Sequence, residues 1–306
     1  MQASRAAPYP AVLARLRRGK EDAIRALLAL CALSALAVVT AVVAIFVHQS
    51  LPFFRTVPLS EFLGGTRWAP IHEPASYGIL PLLGATLLVT AIALSVAVPL
   101  GFLAAVFLTA YAPPHLRAVL KPALELLAGV PTVVYGFFAL RFVTPFLQRF
   151  LPVGFWNGLS AGLVMGLMIT PYMASLSDDV LYAVPRSLWE AGYALGARRP
   201  TVLLRVVVPA AFSGIGAAFI LALTRAVGET MIVALAAGRT PAWPPHPLKP
   251  LLPLTTAMVN IATGDHEAGA FIWSHLFAIG LLLFLVTFGL NLLSHRVIRR
   301  IRRRYA

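Results

Sequence analysis

Two groups of residues in this sequence carry chemistry out of keeping with their neighbours. Arg225 and Glu229 lie inside the apolar run Phe212 to Ala237. Glu190, Ala191 and Gly192 stand together, followed by Gly196 and Pro209, in a stretch that is neither apolar run nor polar linker. A charge near the middle of a bilayer costs about 2.5–3.5 kcal/mol on insertion scales, so one retained there is a functional candidate. Arg225 and Glu229 stand at i and i+4, one turn apart on one helix face, where pairing lowers that cost. The pair reads either as a structural tie between helices or as part of an anion pathway. In the second reading the planar guanidinium offers a fork of donors to an oxyanion, and Glu229 holds that fork until substrate competes.

The elements that must position these residues are membrane spans. Of 306 residues 59% are apolar and 12% charged, and the mean hydropathy is +0.83; a soluble domain has about twice that charged fraction. A soluble protein is therefore excluded, and an all-α integral membrane protein is predicted. A span needs about 20 apolar residues. Six runs qualify: Ala26 to Val47, Ile79 to Ala110, Pro122 to Leu147, Leu159 to Leu176, Phe212 to Ala237 and Phe271 to Leu293. The first is too long for a signal-peptide core and reads as a retained anchor. The second is long enough to require tilt, a bend near Pro99 and Gly101, or projection from the bilayer. Pro131 breaks the third run and Pro171 interrupts the fourth.

Basic residues accumulate on the cytoplasmic side. With these spans, 18 of the 25 Lys and Arg fall on one side and 5 on the other, so both termini are predicted to be cytoplasmic. The organisation is then a basic segment 1–25, a first span 26–47, an outer loop 48–78, a core 79–293 containing an inner loop 177–211, and a basic tail 294–306. The net charge of +14 and the tail VIRRIRRRYA read as a topology anchor touching anionic lipid, not as a nucleic-acid site. The proline-dense outer stretch GRTPAWPPHPLKPLLP favours extended backbone, as a docking surface or a rigid connector.

The remaining candidates read first as structural. Glu125 is favourable near a helix start, and Arg141 can snorkel to the outer interface. Gly162 and Gly166 form a G-x-x-x-G close-packing face. Cys31, the only cysteine, reads as a small hydrophobe and leaves no thiolate metal cluster. No metal or cofactor site is predicted. The chain lacks G-x-x-x-x-G-K-[ST], and its one Gly-Lys pair, Gly19 and Lys20, is followed by Glu21, so any ATP used must be bound by another subunit.

The inner loop carries a signature. Leu188, Ala191 and Leu195 give a short helix one apolar stripe. Gly196 permits the turn that ends it, and Pro209 suits the beginning of the next helix. Ser187 and Glu190 also fit a capping box, which alone would explain both residues. Yet the run from Glu190 through Ala191, Gly192 and Gly196 to Val206, Val208 and Pro209 resembles the E-A-A-x3-G-x9-I-x-L-P motif of ABC importer permeases. Gly192 replaces the second Ala, and valines replace Ile and Leu. LTRAVGETMIVALAAG, around Arg225, Glu229 and Thr230, resembles the R-A-x-G-E-T-M stretch of phosphate-specific permeases of the PstC type. The resemblance runs from about Tyr77 to His295.

It implies the type I permease fold of ABC importers with a cytoplasmic coupling helix, and a non-catalytic subunit in a bacterial inner membrane. It implies that Glu190, Ala191, Gly192, Gly196 and Pro209 belong to the segment docking on an ATP-binding subunit dimer. It also implies that Arg225, Glu229 and Thr230 line a phosphate route shared with a homologous PstA-type permease and fed by an extracytoplasmic phosphate-binding protein. Sulfate, molybdate or tungstate as cargo stays open. A secondary transporter working alone and an intramembrane enzyme are less favoured: no inverted repeat, H-E-x-x-H motif or convincing Ser and His pair is evident.

Overall fold

The computed structural model describes residues 11–70, 73–264 and 271–305, with side chains from residue 21 to 300. The start of the basic segment, two residues of the first outer loop, residues 265–270 of the second, and the side chains ending the basic tail lie outside the described residues. The chain forms two units, residues 1–49 and 50–306. The first holds most of helix α1 (Ala11–Thr56), and Leu27, Leu30, Leu33 and Leu36 on it are exposed.

In the second unit, α2 (Leu59–Gly64) and a two-residue antiparallel hairpin, β1 (Trp68–Ala69) with β2 (Ser76–Tyr77), precede α3 (Leu80–Val106). Then come α4 (Pro114–Ala128), α5 (Thr132–Phe138), α6 (Thr144–Leu147) and α7 (Gly158–Tyr182). The chain continues through α8 (Arg186–Ala194), α9 (Arg199–Val202), α10 (Val208–Val227) and α11 (Met231–Ala236). It ends with α12 (Leu254–Thr263) and α13 (Ile272–Tyr305). Among the described residues five helical stretches are long and apolar enough to cross a membrane. A sixth candidate is the pair Pro114–Ala128 and Thr132–Leu147, bent by 87°.

Three π-helical turns, Phe107–Tyr111, Ala139–Val143 and Leu203–Val207, each end two residues before a proline: Pro113, Pro145 and Pro209. In each case the residue preceding the proline donates its N–H to the carbonyl five residues back, to Phe107, Ala139 and Leu203. Proline lacks an N–H, and its ring crowds the carbonyl four residues back. Widening the turn by one residue moves that carbonyl aside and keeps its neighbours bonded.

Several sequence expectations change here. The break at Pro131 is present, but α4 extends back to Pro114 and has no buried residue, so it replaces the short connection expected between the second and third spans. Pro171 does not interrupt the fourth span: α7 continues through it, and Pro171 is buried. The fifth span is not one helix, because α10 stops at Val227 and α11 starts at Met231. The inner loop is shorter than 177–211, since α7 reaches Tyr182 and a helical stretch resumes at Arg199. The basic tail continues α13 rather than following it.

The second outer loop also holds more structure than a connector. Leu251, Leu252 and Leu254 are buried, and α12 follows. Carbonyls of Pro247 and Lys249 accept the N–H groups of Leu159 and Gly158 at 2.7 and 3.3 Å. Asn157, fully buried, accepts the Ser160 N–H through its side chain at 2.7 Å. The extended proline stretch thus satisfies the donors that the start of α7 leaves unpaired.

Helix α7 is central: 61% of its apolar stretch is buried, against 28% for the α3 span and 33% for the span ending in α10. Lipid is as apolar as the side chains, so close backbone approach replaces hydrophobic burial as the source of attraction. A Cβ on Gly162 would lie 2.6 Å from Ile92 Cγ2, and one on Gly166 would lie 2.7 Å from the Ala93 carbonyl. The expected G-x-x-x-G packing face is therefore the contact between α3 and α7. Gly166→Ala is expected to destabilise the fold by about 1–3 kcal/mol, the usual range for overpacking. Thermal unfolding in detergent checks this; an unchanged midpoint would contradict the tight contact.

Candidate functional site

Arg225 stands in the last turn of α10, and Gly228 ends that helix. The expected pair with Glu229 is not made: the helix stops between the two residues, and among the described residues no ion pair joins them. The Glu229 carboxylate turns to the start of α11, where one oxygen accepts the N–H groups of Met231 and Ile232 at 3.1 and 3.3 Å. An acid favours that end of a helix because it meets free donors and the positive end of the dipole. Glu229 is 7% exposed, and Thr255 Oγ1 donates to its carbonyl at 2.8 Å. The cavity beside it, lined by Thr86, Thr90 and Thr255, measures ≈ 10 Å³, water-sized and too small for an oxyanion. Thr230 donates its hydroxyl to the Gly228 carbonyl at 3.3 Å, closing the turn between the two helices.

Arg225 is left with soft partners. Its guanidinium carbon lies 4.9 Å from the centroid of the Tyr172 ring, and Nη2 reaches Met168 Sδ at 3.7 Å. Nε is buried without a partner. The Tyr172 hydroxyl donates to the Ala128 carbonyl at 2.8 Å, which fixes the ring under the guanidinium. A cation over an aromatic face is held by roughly 0.5–2 kcal/mol. Its N–H donors remain underused, and a carboxylate, phosphate or other acceptor with two oxygens to offer can claim them.

The inner loop folds as α8, but the capping box is not formed. Pro185, not Ser187, is the residue before the helix, no side chain caps it, and Ser187 lies within the first turn. Proline fixes φ for this entry and donates no N–H that would need a partner. At the other end the N–H of Gly196 reaches the Tyr193 carbonyl at 2.9 Å, and that of Ala197 reaches the Gly192 carbonyl at 3.2 Å. Gly196 has φ 75°, a left-handed conformation that glycine adopts without the Cβ penalty. Pro209 is the second residue of α10, although the helical stretch containing it begins earlier, at Arg199.

Leu188, Glu190, Ala191 and Leu195 are all exposed, Leu195 at 88%. The stripe predicted for α8 therefore faces away from this chain's core. Glu190 has no hydrogen bond or ion pair among the described residues. Beside it is an open groove of ≈ 380 Å³ lined by Tyr182, Arg186, Trp189, Tyr193 and Arg199. Gly192 is the buried member of the helix, and a Cβ there would stand 2.9 Å from both methyl carbons of Val202. The glycine in place of the motif's alanine thus matches a valine across the turn.

Sequence reasoning passed over one cluster. Asp178, fully buried near the end of α7, accepts from Thr109 Oγ1 at 2.7 Å, Arg117 Nη2 at 2.8 Å and Lys121 Nζ at 3.2 Å. Asp178 and Asp179 come just after the fourth apolar run, and Arg117 and Lys121 lie in the short connection between the second and third runs. An acidic pair and a basic pair on one predicted side are the signal that was available. Glu125 lies on α4, where it accepts from Ser175 Oγ at 3.4 Å, and Arg141 lies in a π turn. Among the described residues no group of three or more His, Cys, Asp or Glu converges as a metal site.

Residues 97–305 match the family described as binding-protein-dependent transport system inner membrane component. The chain belongs to this family. A probable ABC transporter permease protein, YqgH, of Bacillus subtilis is 37% identical over 74% of each chain. The phosphate transport system permease protein PstC of Mesorhizobium japonicum is 36% identical over 79% of each. An inward-facing structure of the MetNI methionine ABC transporter superposes with a TM-score of 0.55 at 17% identity, covering 73% of this chain and 94% of that one. An amino acid ABC transporter gives 0.51 at the same identity. The chain is therefore an ABC importer permease, a non-catalytic, multi-pass membrane subunit that works with an ATP-binding subunit and a substrate-binding protein.

The Gly192 contact makes a prediction. Gly192→Ala overpacks the turn, partly offset by a gain in helix propensity, for a net loss of about 1 kcal/mol. Hydrogen exchange in α8 is expected to quicken about fivefold on that account, and Val202→Ala is expected to reverse it. Unchanged exchange in the single variant would contradict the contact.

Proposed function

We propose that this permease carries inorganic phosphate inward, sharing its pathway with a homologous permease of the PstA type. Phosphate arrives from an extracytoplasmic phosphate-binding protein, and a dimer of ATP-binding subunits drives the cycle. The observation that carries this reading is the Arg225 guanidinium. It lies in a predicted membrane segment, and among the described residues it meets an aromatic face and a thioether but no carboxylate, while its Nε has no partner. A tetrahedral oxyanion can take two parallel hydrogen bonds from such a fork. The R-A-x-G-E-T-M stretch and the phosphate transport names of the PstC relatives support phosphate as the cargo.

Within this reading Arg225 meets the substrate. Glu229 acts on it indirectly, by anchoring α11 after the break, and Thr230 closes the turn that presents it. The exposed face of α8, which carries Glu190 and Ala191, is the coupling surface for the ATP-binding subunit, with Gly192 and Gly196 shaping the helix and its end and Pro209 lying beyond it in α10. The proposed layout keeps the basic segment 1–25, first span 26–47, outer loop 48–78, core 79–293 and tail 294–306. Its coupling loop narrows to residues 183–198. Both termini are assigned to the cytoplasm of a bacterial inner-membrane protein, on the Lys and Arg asymmetry.

ATP-dependent uptake of radiolabelled phosphate into vesicles holding all four kinds of subunit tests the reading. One charge-assisted interaction is worth about 1.5–3 kcal/mol. Arg225→Gln is therefore expected to lower uptake by ten- to hundredfold while assembly stays intact. Excess sulfate or molybdate should leave wild-type uptake unchanged. Uptake abolished by either anion would reassign the cargo, and full uptake in the variant would return Arg225 to a structural role.

A further inference from the structure

We propose that Asp178 is a positioning residue of the transport cycle, clamping α4 and the π turn Phe107–Tyr111 to the end of α7 so that they move with the coupling segment. This rests on the importer reading above but concerns residues that neither the pathway nor the motif includes. The carboxylate is fully buried and takes donors from two separate elements: Thr109 in the π turn, and Arg117 and Lys121 in α4. Lys121 also bonds the neighbouring Asp179. A buried carboxylate persists only when it is paired and hydrogen-bonded, and this one has three donors.

The clamp is placed between two mobile tasks. Helix α4 has no buried residue of its own, and its polar ties to α7 run from the Asp178 cluster at one end through Glu125 and Ser175 to the Ala128 carbonyl at the other. On the other side, Tyr182 ends α7 only four residues before α8 begins. Arg117 stacks on Tyr182, its guanidinium carbon 3.8 Å from the ring centroid. Tyr182 and Thr109 also line the groove beside Glu190. One set of side chains thus borders the coupling groove and grips α4, whose far end supplies the Ala128 carbonyl bonded by Tyr172 beneath Arg225. The route from α8 to the pathway is contiguous through Tyr182, Arg117, α4 and Tyr172. Thr109, the donor from the other element, sits within the π turn Phe107–Tyr111.

Reconstituted complexes with Asp178→Asn and, separately, Thr109→Val provide the test. Phosphate uptake and ATP hydrolysis are measured on the same vesicles and divided by the amount of assembled complex. Asp178→Asn is expected to hydrolyse ATP within about twofold of wild type while phosphate carried per ATP falls at least fivefold. Thr109→Val should move that ratio the same way by a smaller factor, and it serves alone if the first variant does not assemble. Spin labels at exposed Val119 on α4 and Leu195 at the end of α8, with Cys31 replaced by Ser, give a second readout. Their distance is expected to stay fixed between nucleotide-free and ATP-bound wild type and to change with nucleotide in the variants. An unchanged ratio together with an unchanged distance in the variants would overturn the clamp. A wild type that hydrolyses ATP without carrying phosphate would overturn the cargo assignment instead, while the distances still decide the clamp.

Discussion

Hydrocarbon offers no hydrogen bonds, so irregular backbone at membrane depth must be satisfied by the protein or line a water-filled cavity. The architecture follows from how each break is satisfied. Ahead of Pro113, where a helix ends, and of Pro145 and Pro209, where the helical stretch continues, π turns pass the bond to the carbonyl one residue further back. At the start of α7, the free donors go to Asn157 and to carbonyls of the proline-rich loop. At the break between α10 and α11, a glutamate side chain takes them. The repair at α7 ties two segments distant in sequence, whereas the π turns and the Glu229 cap act within a few residues, and each fixes the course of the chain beside it.

The most consequential repair is that of Glu229. A carboxylate committed to the first N–H groups of α11 is not available to Arg225, and the guanidinium one turn earlier is left against an aromatic ring and a sulfur. An arginine already neutralised by a carboxylate would have to surrender that bond before binding an anion. Here the acid stabilises the break between α10 and α11, and the base keeps its donors. Packing makes this affordable: glycines on α7 bring it against α3 closely enough for van der Waals contact to hold the core.

Much of this was legible in the sequence, for reasons that differ by element. The long apolar runs and the Lys and Arg asymmetry are set by the bilayer itself, and they outlined the spans. The inner motif marked α8 and the turn at Gly196, because a left-handed turn has a strong local preference for glycine, whereas Pro209 lies ten residues inside a helical stretch that begins at Arg199. The Arg225 and Glu229 spacing misled because it assumed an unbroken helix, and nothing in Gly228 alone announces a stop. The capping box at Ser187 misled in the same way, since Pro185 supplied an earlier entry. Helix α12 was missed because ten residues are too few to span and the proline signal beside it dominated. The Asp178 cluster joins residues about 60 apart in sequence, and no periodicity connects such positions.

The central claim is that the Arg225 guanidinium stands ready for an oxyanion, and chemical modification of that arginine in the assembled transporter tests it most directly. Phenylglyoxal labelling of Arg225, followed by mass spectrometry, is compared with and without phosphate at equal ionic strength. At least fivefold slower labelling in phosphate, with chloride giving no protection, is the result this account predicts. Labelling at the same rate in both, in a complex that transports phosphate, would contradict it.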